Sequence, residues 1–279
     1  MQQAKSRDRH ARECPAFFPR HCGCETAVDQ GVNPEPRGSR ARLYEHYSAN
    51  FGGAKPLDLQ VQFRQFELCY EGRVPAAASV IGDLGCGKGE WLAWLRSKGC
   101  AKLWGVDGSP SDAAIAREQN PGIEVVEGGI CEVLRGKKAC FDLLHAKDLI
   151  EHLKPDELFE FLDACSFALK PGGQLWLLTF NAQSPLAGAT RYGDFTHEIG
   201  LTPMSMRQVL SAAGFAVVSI RGIHICPATK GGFVRKWIWR IAGSIARLLL
   251  RARHGGVAQN DTDTFTAAPD LFAIARRPD

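Results

Sequence analysis

Two hydrophobic periods alternate along this chain. Ser79–Leu84 (SVIGDL), Lys102–Asp107 (KLWGVD), Ile123–Glu127 (IEVVE), Phe141–Ala146 (FDLLHA) and Gln174–Phe180 (QLWLLTF) are short, nearly continuous apolar runs, as expected of strands buried on both faces. Segments of helical period lie between them: Glu90–Lys98, Ser111–Gln119 and Pro155–Leu169, the last closed by Lys170-Pro171-Gly172-Gly173. Thr202 predicts an N-cap, with Pro203 at the first helical position and Gly214 closing that helix. Phe215–Ile223 and Leu271–Ala275 read as two final strands without an ordinary crossover helix between them, so an antiparallel edge is expected. Strands separated by helices make a parallel sheet covered on both faces. The pattern predicts a doubly wound α/β domain. Upstream, a helical region is expected from Leu43 to Tyr70. Residues 1–42, rich in Arg, Pro, Gly and Cys without a period, read as a disordered or loosely packed leader.

The sharpest chemical signal is Asp83-Leu84-Gly85-Cys86-Gly87-Lys88-Gly89-Glu90, placed between the first strand and its helix. Glycines let a ligand approach bare backbone, and the helix start offers N–H groups to an anion such as a carboxylate. Asp107 ends the second strand, where a carboxylate can accept hydrogen bonds from both hydroxyls of a ribose. The third glycine of a dinucleotide fingerprint would fall on Glu90, and Asp83 would repel a pyrophosphate. Asp83 suits instead a ligand carrying an ammonium group.

With these residues in view, the chain from about Tyr44 onward resembles the class I S-adenosylmethionine-dependent methyltransferases. The resemblance rests on 83–89, Val106-Asp107-Gly108-Ser109, Asp148-Leu149-Ile150-Glu151-His152-Leu153 and Leu169-Lys170-Pro171-Gly172-Gly173. The block from Ser184 to Thr202, with Arg191-Tyr192-Gly193-Asp194-Phe195-Thr196-His197-Glu198, is similar to the branch associated with bacterial lipopolysaccharide, O-antigen and exopolysaccharide biosynthesis. The resemblance implies a Rossmann-like seven-stranded sheet with an antiparallel last strand, spanning 43–279. It also implies a cofactor-contacting set of Asp83, Gly85, Cys86, Gly87, Asp107, Gly108, Ile130 and Asp148. Gly85 and Gly87 would line the methionine end, Asp107 would hold the ribose and Ile130 would lie near adenine. Where the family usually has an acid before that apolar residue, this chain has Gly129.

Methyl transfer to a hydroxyl needs alignment, a dry site and a group that removes the proton, most often His. His152 follows the fourth strand at the edge where open sheets bind ligands, and His197 sits in a polar loop after the fifth. Both are candidate bases. Tyr192, Asp194 and Glu198 are candidate acceptor-binding residues. The bland alternatives are that His152 caps a helix, that His197 pins its loop to Asp194 and that Tyr192 is packing. His145, inside the fourth strand, reads as a core histidine, and His46 as part of a lid.

Composition adds one asymmetry. Between Ile199 and Asn260 there is no acid against nine Lys and Arg; removing those nine from the net charge of +4 leaves the rest of the chain at −5. Most of the bases fall in Phe233–Arg253, read as a basic amphipathic helical insertion at about 230–254. Lys236, Arg240, Arg247 and Arg251 share one sector beside a broad apolar stripe. That face could pack on the sheet, lie on an anionic membrane surface or bind an anionic glycan. Nucleic acid is not expected as a partner. The ten cysteines read as thiols in a reducing compartment. Cys14, His21, Cys22 and Cys24 fit no zinc spacing, so no metal site is assigned. The longest uncharged run, residues 171–190, is broken by Pro and Gly and is not a membrane span. No signal peptide is read, so a cytoplasmic location is expected, with the inner membrane surface as the peripheral site the basic helix would take.

These readings lead to methyl transfer from S-adenosylmethionine to a sugar or a lipid-linked glycan acceptor. The alternatives are an O-methyltransferase for a small lipophilic acceptor such as a quinone precursor, and a catalytically silent scaffold at the membrane.

Overall fold

The computed structural model describes Leu43 and residues 59–224, 230–253 and 265–279, and the fold lies in the unit His46–Asp279. The expectations for residues 1–42, including Cys14, His21, Cys22 and Cys24, and for Tyr44 and His46 lie outside the described residues. In chain order the elements are α1 (Leu59–Cys69), β1 (Val80–Leu84), α2 (Glu90–Ser97), β2 (Lys102–Asp107), α3 (Pro110–Gln119), β3 (Glu124–Glu127), α4 (Ile130–Leu134) and β4 (Phe141–Lys147). A 3₁₀ turn (Ile150–His152), α5 (Pro155–Ala168), β5 (Leu169–Phe180), α6 (Ala187–Gly193), α7 (Pro203–Ala212), β6 (Ala216–Ile223), α8 (Lys230–Arg253) and β7 (Asp270–Arg276) follow.

The seven strands form one sheet in the order β3-β2-β1-β4-β5-β7-β6. The first five pair in parallel, and β7 runs antiparallel to both β5 and β6. The reversed strand is thus the last in sequence, as expected, but it is not at the edge. Burial explains the order. Leu271 to Ala275 are all buried, whereas in β6 only Ile223 is buried and the rest are half-buried or exposed. An apolar run needs cover on both faces and takes the interior slot; the less buried strand takes the edge.

Two other boundaries differ from the sequence pattern. The extended run of β5 starts at Leu169, which pairs with Phe141, and the ladder resumes at Leu143 and Gln174. Lys170 to Gly173 are the extra residues between those pairs, so the turn ends α5 and bulges the strand. The helices α4 and α6 have 5 and 7 residues, too few to show a helical period.

Each face of the sheet carries its own core. Phe161, Leu162, Met206 and Leu210 of α5 and α7 pack on one face against Leu84, Val106 and Leu144. The other face is aromatic: Trp91 and Trp94 of α2 meet Phe66, Tyr70, Trp176 and Phe272. Tyr70 is fully buried, with six aromatic or imidazole rings within 6.3 Å, among them Trp94, Trp176 and Phe272. Burial of each such ring is worth roughly 1.5–3 kcal/mol, and this cluster fixes α1 over the turn after β1.

Candidate active site

The turn after β1 is set by left-handed backbone that favours glycine. Gly85, Gly87 and Gly89 have φ of +71°, +53° and +81°. The turn is tied to β2, since Gly85 and Cys86 both donate to the Val106 carbonyl. The Asp107 carboxylate accepts from the Gly87 N–H at 2.7 Å and the Ser109 N–H at 2.8 Å. One acid at the end of β2 therefore holds two loops together. Each of its oxygens retains accepting capacity for a ribose hydroxyl.

Asp83, Gly85, Cys86, Gly87 and Glu90 line a cavity of about 240 Å³, which Gln62, Gln65 and Phe66 of α1 close from the far side. His145 and Lys147 of β4 also reach it. His145 is buried, as expected, but it also orients an acid. Its Nδ1 lies 2.7 Å from Asp83 Oδ1, its Nε2 lies 2.6 Å from the Tyr70 hydroxyl, and its ring stacks on Trp91 at 3.8 Å. The pattern of apolar neighbours hides this role, because the partner acid is 62 residues away. Burial raises the carboxyl pKa of both Glu90 and Asp107 and pushes the Cys86 thiol well above its usual range. Acids destabilised as anions in this way gain most from a cationic ligand.

The remaining expected contacts are more dispersed. Gly108 lies beside the loop after β3, where a Cβ would be 3.9 Å from the Gly128 carbonyl. Ile130 starts α4 and packs half-buried on the core. Asp148 has a left-handed backbone, φ +50°, pairs with Lys147 and is half-exposed. At Gly129, a Cβ would lie 3.9 Å from Glu132 Oε2. A carboxylate one helical turn on thus stands next to the position where the family usually has its acid.

A second cluster forms beyond β4 and β5. Glu151, His152 and His197 each place one donor atom within 4.8 Å of the others, and could hold a divalent cation between them. The two imidazole rings are 4.7 Å apart, and His197 lies over Phe180. Nδ1 of His197 donates to the Thr190 carbonyl at 3.0 Å, which leaves Nε2 as its basic nitrogen. Thr196 Oγ1 donates to Asp194 Oδ1 at 2.7 Å, so it accepts from His152 Nδ1 at 2.8 Å. Asp194 braces His152 through Thr196, and its backbone carbonyl accepts from the His197 N–H at 3.3 Å, so it also pins the His197 loop while the imidazole itself bonds to Thr190. Burial, with His197 alongside, lowers the His152 pKa. Burial, with Asp148 nearby, pushes the Glu151 carboxyl up to about 8, although Thr179 Oγ1 donates to it at 2.9 Å. Glu151 belongs to this cluster, and its sequence signal is adjacency to His152, which marks it as a residue able to orient that imidazole or cap the next helix.

Two candidate acceptor residues stand apart. Tyr192 is 80% exposed, with the Arg191 guanidinium 5.2 Å from its ring centre. Glu198 is exposed; its backbone N–H donates to the Glu151 carbonyl, which docks the loop on the 3₁₀ turn.

A family model described as a methyltransferase domain matches residues 72–220. The chain belongs to this family of S-adenosylmethionine-dependent methyltransferases. Its glycine turn, its buried acids and the doubly bonded Asp107 fit that cationic adenosyl cofactor. The mitochondrial ubiquinone biosynthesis O-methyltransferase of Rattus norvegicus is 27% identical over 183 residues, covering 59% of this chain and 51% of that protein. The ubiquinone biosynthesis O-methyltransferase of Coxiella burnetii (strain Dugway 5J108-111) is 25% identical over 222 residues, covering 72% and 90%. The chain spans about half the length of the rat, mouse and Xylella fastidiosa relatives that it matches. Among solved structures, an S-adenosylmethionine-dependent methyltransferase from Archaeoglobus fulgidus has a TM-score of 0.57 at 22% identity, covering 84% of this chain and 99% of that one. A Burkholderia thailandensis 1,6-didemethyltoxoflavin-N1-methyltransferase with bound S-adenosylhomocysteine has a TM-score of 0.52 at 17% identity, covering 86% and 87%. These likenesses establish the fold. The curated relatives are ubiquinone-biosynthesis enzymes, not members of the glycan-associated branch that the block from Ser184 to Thr202 suggested.

Proposed function

We propose that this chain methylates a phenolic hydroxyl on a small lipophilic acceptor of the quinone-precursor kind. The observation that carries the reading is the His152 and His197 pair, whose rings lie 4.7 Å apart and whose Nδ1 atoms are each held by a fixed acceptor, which makes Nε2 the basic nitrogen of either ring. A phenol, with a pKa of about 10, gives its proton to an imidazole far more readily than a sugar hydroxyl does. The names of the curated relatives support the same acceptor class.

Bound S-adenosylmethionine would supply a sulfonium methyl group for in-line transfer to the acceptor oxygen and would depart as a neutral thioether. The part of this chain's own residues is to take the acceptor's proton at an imidazole Nε2. His152, kept below its ordinary pKa, is neutral and able to accept that proton at neutral pH. Glu151, which burial keeps largely protonated below about pH 8, can ionise beside the imidazolium and stabilise it. Phe180, which is buried, and Leu149 keep the surroundings apolar.

A sugar or lipid-linked glycan acceptor is the second reading. The exposed Tyr192 ring, open on one face, favours it as a stacking platform. Labelled methyl transfer to a catechol carrying a prenyl chain, compared with transfer to nucleotide sugars, separates the two. The expected outcome is phenol turnover without sugar turnover, and the reverse would establish the glycan reading. Calorimetric titration of S-adenosylmethionine comes first: a wild type that binds none would point to a silent scaffold.

A further inference from the structure

The helix α8 joins β6 to β7 and has 24 residues. It leans on the segment before β7 along one narrow line. Trp239 Nε1 donates to the Ala267 carbonyl, and Gly243 is so close that a Cβ there would lie 2.4 Å from Ala267 Cβ. Arg247 sits over the Phe265 ring at 5.5 Å. The apolar stripe is elsewhere. Val234, Trp237, Ile238, Ile241, Ile245, Leu248 and Leu249 are 53–67% exposed, and at 100° per residue they share a sector of about 120° opposite the packed line. Arg235 flanks that sector on one side, and Arg240 and Arg251 flank it on the other, while Lys236 and Arg247 lie toward the packed line. No acid occurs anywhere in the helix.

We propose that α8 docks flat on an anionic lipid bilayer, with its apolar sector among the acyl chains and its bases at the headgroups. Seven large apolar side chains in one exposed row are far more than scattered surface hydrophobics. The flanking cations match negative phospholipids, and Trp237 at the boundary suits the interface. A second copy of this chain is a poorer occupant: a two-fold contact through this face would bring both sets of cations together without an acid in either helix to offset them. No described helix is long and apolar enough to cross a membrane, so the helix lies along the surface. The segment it leans on is held by Asn181, whose Nδ2 donates to the carbonyls of Thr266 and Ala268 at 2.8 Å each. Asn181 opens the loop that carries Tyr192 and His197, so the segment under α8 and that loop share one anchor.

This proposal rests on α8 and not on the identity of the acceptor, so its test contains no acceptor. The full chain is sedimented with phosphatidylcholine vesicles with and without phosphatidylglycerol, at low and high salt. The expected result is binding to the anionic vesicles, at least tenfold weaker to phosphatidylcholine alone and weakened by salt. Ile241→Glu with Leu248→Glu should abolish it with the circular dichroism unchanged, and Arg240→Ser with Arg251→Ser should remove the preference for anionic lipid. Amide exchange in wild-type α8 should slow when anionic vesicles are added, a readout independent of any variant. The proposal is overturned if the wild type stays in solution with anionic vesicles, or if the paired Glu variant is folded and still binds. It is also overturned if ultracentrifugation shows a dimer broken by that variant while no vesicles are bound.

Discussion

Glu151 is a carboxyl buried to 3% exposure, and its raised pKa couples the site to stability. Its folded value of about 8 lies above the ordinary carboxyl value of 4.5, so the folded state binds the extra proton between those two pH values. Stability from this group is fully present below the unfolded value and is lost as pH rises toward 8, by at most about 1.4 kcal/mol per pH unit. Glu151→Gln keeps an oxygen for Thr179 and cannot ionise. Thermal denaturation of the pair at several pH values should show the variant gaining on the wild type as pH rises from 5 to about 8; parallel curves would show that Glu151 carries no such coupling. At the neighbouring imidazoles, His197→Ala should lower the turnover number by roughly 10²–10⁴ while calorimetric cofactor affinity stays unchanged. Asp107→Ala is the opposite case. Loss of a charged acceptor for two backbone N–H groups and the ribose should weaken S-adenosylmethionine by roughly a hundredfold, about 2.7 kcal/mol.

Among the elements, the glycine turn separates folding from binding within two residues. A Cβ at Gly89 would lie 2.4 Å from Asn120 Nδ2 and 3.1 Å from Ala116 Cβ, while one at Gly87 meets nothing within 4 Å. Gly89→Ala should therefore lower the unfolding free energy by several kcal/mol, and Gly87→Ala by about 1–2 kcal/mol from its left-handed backbone alone. Calorimetry should nevertheless show Gly87→Ala losing the cofactor, because the open space there is where the ligand approaches. This turn, Asp107 and the Thr202 cap were legible in the sequence because each is local: a strand end, a tight turn and a helix start within a few residues. Thr202 Oγ1 accepts from the Ser205 N–H, as expected of the cap. The relay from Asp194 through Thr196 to His152 was not legible, since Thr196 carries no motif of its own and meets its histidine across 44 residues. The pairing of His145 with Asp83 was hidden for the same reason. The slot taken by β7 depends on competition between two strands for cover, which a local period does not record.

For the whole molecule, charge and exposed apolar surface are concentrated together. The acid-free stretch from Ile199 to Asn260 supplies the edge strand β6 and the helix α8, while the remaining chain is net acidic. The glycine turn and the helix proposed to meet lipid thus lie on different parts of the molecule, the first at the carboxyl end of β1 and the second beside the segment before β7. The position of β7 has a further consequence for how the protein is made. Among the described strands β6 pairs with β7 alone, and β7 also closes the exposed side of β5. A ribosome delivers β6 first and the basic helix next, so β6 waits without a ladder until Asp270–Arg276 emerges. Over that interval the apolar row of α8 and the unpaired edge of β5 are both open to other chains. A chain stopped after Arg253 should show no cooperative thermal transition, and nascent chains of that length should be the ones that chaperones hold.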